Sequence, residues 1–132
     1  MFDELKKYKK NGHFFFRKGD NLAFQSKTVP ELAGVYYIIK LALGRVELVY
    51  MGKSEAITQA SNNKVKLLKQ SINGLQEFLD IKMSEANIDA LDIYWFVTMD
   101  ATHNDLPGYV EGLIMQRFFD IQERLPEWNS TF

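Results

Sequence analysis

Two runs rich in β-branched and aromatic residues, Gly34 to Lys40 and Val46 to Gly52, flank the short segment Leu41-Ala42-Leu43-Gly44-Arg45. A connection this short, with a glycine near its tip, makes the pair an antiparallel β-hairpin. A third extended run, Leu91 to Met99, alternates Ile93, Trp95 and Val97 against Tyr94, Phe96 and Thr98 and reads as a strand buried on both faces. Between hairpin and third strand, Val65, Leu68, Ile72, Leu75 and Leu79 recur at helical spacing, with Asn73-Gly74 as a break, so one helix or two fit there. Pro107 sits where a first helical turn starts, and Val110, Leu113, Ile114, Phe118, Ile121 and Leu125 then form an apolar stripe that packs on the sheet until Pro126 ends it. Before the hairpin, Phe2 to Tyr8 read as a short helix, and turn signals at Asn11-Gly12 and Lys18-Gly19-Asp20-Asn21 bracket the Phe14 run. The expected class is α+β: a small three-stranded antiparallel-type sheet flanked by helices, built by residues 34–132, with residues 1–33 as an N-terminal extension packed on the core.

A chain of 132 residues, 46% of them hydrophobic, holds one core and is too short for two ordinary domains. Aromatic runs such as Phe14-Phe15-Phe16 and Tyr94-Trp95-Phe96 need a packed interior, which excludes disorder. No apolar stretch approaches the roughly 20 residues that span a bilayer, and the start Met1-Phe2-Asp3-Glu4 is charged rather than an apolar leader, so a soluble protein without membrane partners is expected. The absence of cysteine excludes disulfides and thiolate zinc sites and makes a cytoplasmic location the simpler expectation. The net charge of −1 does not favour nucleic acid, but Lys6, Lys7, Lys9 and Lys10 cluster early and Lys64, Lys66 and Lys69 form a second group. Solvated helix faces account for both clusters as well as a DNA footprint does.

If the hairpin pairs symmetrically about Leu43, Tyr36 lies directly opposite Tyr50 and Gly34 opposite Gly52. Opposed Cβ atoms are about 5 Å apart, so two phenol groups can converge on one small ligand or water, although an aromatic pair that only stabilises the sheet leaves the same pattern. Gly34-Val35-Tyr36 and Tyr50-Met51-Gly52 resemble the two halves of the GIY-YIG nuclease signature, with isoleucine conservatively replaced in each and a separation that fits the family. Downstream, Pro107-Gly108-Tyr109-Val110-Glu111 resembles the helix start that presents the family's metal-binding glutamate, and Leu125-Pro126-Glu127-Trp128-Asn129 resembles its closing asparagine motif. The four pieces occur in family order and cover Gly34 to Asn129.

The resemblance implies hydrolysis of a phosphodiester in DNA by in-line attack of water, with one Mg²⁺ or Mn²⁺ on the scissile phosphate and leaving oxygen. Tyr36 is then the general base or the group that orients the water, a role in which an ordinary phenol pKa near ~10 needs help. Tyr50 positions the water or a phosphate oxygen, and Asn129 orients its neighbours by hydrogen bonding. Glu111, one position off the apolar stripe in the first turn of its helix, is the metal ligand, as suits a hard cation that keeps several waters; the helix dipole alone also favours a glutamate there. Lys53 is either a phosphate partner or an ordinary surface lysine.

One family position is altered. Ala60 stands where the family carries an arginine, no arginine occurs between Arg45 and Arg117, and the only histidines are His13 and His103. Loss of one preorganised donor to a developing oxyanion costs on the order of 3 kcal/mol. A lysine substitute, with Lys69 the candidate, a naturally weakened nuclease and an engineered inactivating change are all consistent with this, and lysine lacks arginine's bidentate fork. The alternative function is a catalytically silent module of the same fold that binds nucleic acid or a protein partner. Residues 1–33 are left with three roles: cover for a sheet edge, a homodimer contact, or a DNA contact through Lys6 to Lys10. Gly52-Lys53-Ser54 is not a phosphate-binding P-loop, because Glu47 stands where that motif needs glycine. His103-Asn104-Asp105 lacks a second histidine at ligand spacing and reads as a turn.

Overall fold

The computed structural model describes residues 2–58, 65–85 and 87–129. Strands β1 (Asn11–Phe16), β2 (Ala33–Ala42), β3 (Arg45–Lys53) and β4 (Ala90–Met99) form one antiparallel sheet of four strands in the spatial order β1-β4-β2-β3. The two central strands are the ones whose sequences are apolar on both faces, as burial on both sides demands. Helices α1 (Leu22–Gln25), α2 (Leu68–Asn73), α3 (Gln76–Glu85) and α4 (Pro107–Gln122) complete the α+β fold. On one face, Phe14, Phe16, Ile38, Val49, Leu91, Ile93 and Val97 meet Leu22, Leu68, Ile72, Leu79 and Met83 from α1, α2 and α3. On the other, Val35, Tyr37, Ile39, Leu48 and Met51 are covered by Val110, Ile114, Met115 and Phe118 of α4 and by Phe2, Leu5 and Tyr8. Among the described residues no helix is long and apolar enough to cross a membrane.

Several sequence expectations change. The sheet has four strands rather than three, because Asn11–Phe16 from the N-terminal segment pairs along β4 from Asn11↔Phe96 to Phe16↔Leu91. In that strand Phe14 and Phe16 point into the α2/α3 core while His13 and Phe15 stay exposed on the opposite face, so a run of three phenylalanines is an alternating strand. The helix expected over Phe2 to Tyr8 is a single 3₁₀ turn at Asp3–Leu5. The break at Asn73-Gly74 does separate two helices. Helix α4 buries Val110, Ile114, Met115 and Phe118 but leaves Leu113 and Ile121 exposed, and it ends at Glu123, whose left-handed φ of 57° terminates it ahead of Pro126.

The hairpin register also differs. Its turn is only Leu43 and Gly44, both left-handed (φ 54° and 72°), so Ala42 pairs with Arg45 and Ile39 with Leu48. A β-bulge then shifts the pairing between Ile38 and Ile39, so that Ile38 faces Tyr50 and Tyr36 faces Gly52. Tyr36 and Tyr50 are therefore diagonal neighbours rather than an opposed pair, and Gly34 is not opposite Gly52.

Candidate active site

The bulge gathers side chains that the alternation alone would separate. Val49 and Tyr50 both lie on the α2/α3 face, as the extra residue of a bulge requires, while Leu48 and Met51 lie on the α4 face. Tyr36 and Tyr50 thus share a face, with ring centroids 6.3 Å apart and planes inclined at 35°. Gly52 makes this possible: a Cβ there would fall on the Tyr36 ring, so the ring lies across a bare backbone. Gly34 has a different reason to be glycine, since a Cβ would strike the Phe96 carbonyl of the neighbouring strand. Ser54, buried just past β3, fastens the same point: its hydroxyl accepts from the Gly34 N–H at 2.9 Å, and its own N–H donates to the Gly34 carbonyl at 2.9 Å.

Tyr36, Tyr50, Met51, Gly52, Lys53, Glu111, Met115 and Asn129 line one cleft of about 260 Å³ at the end of β3, under the N-terminal half of α4. Five of the six residues singled out in the sequence meet there. Glu111 is the fifth residue of α4, beyond the first turn where it was expected, so the helix dipole is not what holds it. It is half-buried, and desolvation raises its pKa, with Lys53 pulling partly the other way. Lys53 lies at the exposed end of β3, its aliphatic stem 3.8–3.9 Å from where a Cβ on Gly108 would sit. Among the described residues its ammonium forms no ion pair within 4.0 Å. Burial drives the Tyr36 phenol far above its ordinary pKa, helped by Tyr50 and the Glu111 charge. Tyr50 is raised as well, by burial and then by Glu111, while its hydrogen bond with Tyr36 works in the opposite sense. Both phenols stay protonated at neutral pH, which suits Tyr36 to orienting a water and not to deprotonating one.

Asn129 is committed to the backbone. Its Oδ1 accepts from the Met51 N–H at 2.9 Å and its Nδ2 donates to the Met51 carbonyl at 3.0 Å, while the Trp128 N–H donates to the Val49 carbonyl at 2.8 Å. One backbone bond and the Asn129 side-chain amide together clamp the outer edge of β3, pinning the residue between Tyr50 and Gly52.

Lys69 does not join the cleft; its ammonium lies 3.5 Å from the Lys27 carbonyl, and Lys66 is not among the lining residues either. Ala60 and Lys64 lie outside the described residues. No arginine lines the cleft. No cluster of three or more histidine, cysteine, aspartate or glutamate side chains occurs among the described residues, so a cation at Glu111 would rest on one carboxylate and on water. The residues missed in the sequence are Met51 and Met115, which line the cleft, and Ser54, which could have been found only by knowing that β3 runs one residue beyond Gly52. The chain matches no family model, no curated protein and no solved structure.

Proposed function

We propose that the cleft is the active site of a metal-dependent DNA endonuclease of the GIY-YIG type, which hydrolyses a phosphodiester with an activated water. The observation that carries the reading is the meeting of two protonated phenols, one half-buried carboxylate and a lysine without an ion-pair partner among the described residues, in a single cleft built from three separate parts of the chain. One half-buried carboxylate at the mouth of a cleft with room for water is a donor set that fits a divalent cation such as Mg²⁺ or Mn²⁺, which keeps several waters and takes one or two protein carboxylates. Such an ion would neutralise charge on a phosphodiester and on its leaving oxygen. The chain's own groups then divide the work. The Tyr36 and Tyr50 hydroxyls orient the attacking water and a phosphate oxygen, Lys53 offsets phosphate charge as a point cation, and Asn129 acts indirectly by holding Met51. Lys69 has no part in it.

The test is plasmid nicking with Mg²⁺ or Mn²⁺ by the unaltered chain, Glu111→Gln, Lys53→Met, Lys69→Met and Ala60→Arg side by side. Cleavage that is lost in Glu111→Gln, falls by roughly a hundredfold in Lys53→Met and is unchanged in Lys69→Met is the expected result. Cutting by Ala60→Arg alone would assign the unaltered chain to a weakened nuclease. No cutting by any version, with duplex DNA still bound in a salt-dependent way, would leave a silent nucleic-acid-binding module instead.

A further inference from the structure

Strand β1 is the outer strand of the sheet on the side away from the cleft, and its edge is open. The Val97 N–H donates to the Lys10 carbonyl, and the pairs Gly12↔Trp95, Phe14↔Ile93 and Phe16↔Leu91 continue that register. In an antiparallel ladder the alternate residues then turn their peptide groups outward, so the N–H and C=O of Asn11, His13 and Phe15 face the edge. Among the described residues none of these groups finds a hydrogen-bond partner. The side chains beside them are also accessible: Phe15 is 38% exposed and the His13 side chain 48%. His13 is held in place by Asp92, 2.8 Å from its Nδ1, and by stacking on Tyr94 at 4.7 Å. It ends a row of stacked rings that runs through Tyr94 to Tyr37 across three strands.

Charge decides what such an edge accepts. Lys9 and Lys10 flank one end and Arg17 and Lys18 the other, all exposed and none in an ion pair among the described residues. Asp20 accepts from the Arg17 N–H and Asp100 from the Thr102 and His103 N–H groups, and neither forms a salt bridge with these cations among the described residues. A second copy pairing antiparallel about His13 would bring Lys9 and Lys10 toward Arg17 and Lys18 just beyond both ends of the strand, which like charges oppose. A nucleic acid strand would meet the cations but could not answer an alternating row of peptide donors and acceptors. An extended peptide answers both.

We propose that the open edge of β1 is a docking site for an extended acidic segment of a protein partner, which adds to the sheet as a fifth strand. The proposal does not depend on the chemistry of the cleft. An antiparallel guest pairs along Asn11–Phe16, with its residues opposite His13 and Phe15 on one face, and its two ends extend beyond the strand toward Lys9 and Lys10 on one side and Arg17 and Lys18 on the other. The preferred guest therefore carries an acid at each end of a nine-residue stretch, with apolar residues at its third and fifth positions.

The experiment titrates the ¹⁵N-labelled full chain with a capped nine-residue peptide of alternating threonine and valine that has glutamate at both ends. The expected result is amide shifts centred on Asn11, His13 and Phe15, with binding about tenfold weaker or more for the same peptide with lysine at both ends. The charge-reversed Arg17→Glu, Lys18→Glu double variant, whose spectrum reports that it is folded, should lose affinity for the acidic peptide by a similar factor, and N-methylation of alternate peptide amides should abolish binding. Equal binding of the lysine-ended peptide, shifts located elsewhere, or no binding at millimolar peptide would overturn the proposal. So would a single-stranded oligonucleotide that shifts these amides while the acidic peptide does not.

Discussion

Replacing Asn129 by alanine removes two hydrogen bonds to one residue of an edge strand, the 2.9 Å bond from the Met51 N–H and the 3.0 Å bond to its carbonyl. A net protein hydrogen bond is worth about 0.5–1.5 kcal/mol, and two together give about 1–3 kcal/mol. Both groups lie beside a cleft open to solvent, so water recovers part of this and about 1–2 kcal/mol remains. With an unfolding entropy of about 2 cal/mol/K per residue, this chain should lose roughly 4–7 °C in Tm. Urea denaturation checks the free energy, and hydrogen exchange at the Met51 amide checks the place. That amide should exchange faster in Asn129→Ala than in the unaltered chain, by more than the global destabilisation accounts for. Unchanged stability, or an unchanged Met51 amide with a general loss of stability, would refute the view that Asn129 works by clamping β3.

Gly52→Ala should cost about 1–3 kcal/mol, because its Cβ meets the Tyr36 ring and that ring, 3% exposed, has no room to retreat; a urea midpoint unchanged by the substitution would show that the ring does not rest on Gly52. Glu111→Gln gives a signed pH dependence. Burial holds the Glu111 carboxyl above its ordinary 4.5, so the folded protein keeps that proton to higher pH than the unfolded chain does. The group's contribution to stability is greatest below 4.5 and declines as pH rises through the raised folded value, which glutamine does not do. In chelator, the stability of Glu111→Gln relative to the unaltered chain should therefore rise between pH 4.5 and neutrality, and a difference that stays flat across that window would rule out burial as the cause.

What could be read from the sequence was what local pattern determines. The hairpin, the doubly buried β4, the break at Asn73-Gly74 and the start of α4 at Pro107 each follow from spacing and turn residues within a short window. Strand β1 was not legible in the same way, because its partner lies some 80 positions away and its two turn signals describe only its ends. The phase of α4 was misjudged for a related reason. Val110, Ile114 and Phe118 repeat strictly at four residues and Met115 is buried with them, whereas Leu113 and Ile121 are apolar residues left facing out. Asn129 was found by its motif, but its work is a pair of backbone bonds that no composition or period encodes.

The two tyrosines show how a wrong register can still place a site on the correct face. Pairing symmetrical about Leu43 sets Tyr36 opposite Tyr50; the two-residue turn at Leu43-Gly44 moves the register by one, which by itself would set Tyr50 opposite Tyr37 on the α4 face. The bulge at Val49 moves it by one more and returns Tyr50 to the face of Tyr36, displaced along the strand so that Gly52, and not another phenol, lies under the Tyr36 ring. Turn and bulge are therefore coupled. A chain with either alone would part the phenols across the sheet, while the two together leave them diagonal, 6.3 Å between ring centroids, with Glu111 and Lys53 at the same opening. The extra residue in β3 is thus as much a determinant of the cleft as the tyrosines that line it, because it decides which side of the sheet they share.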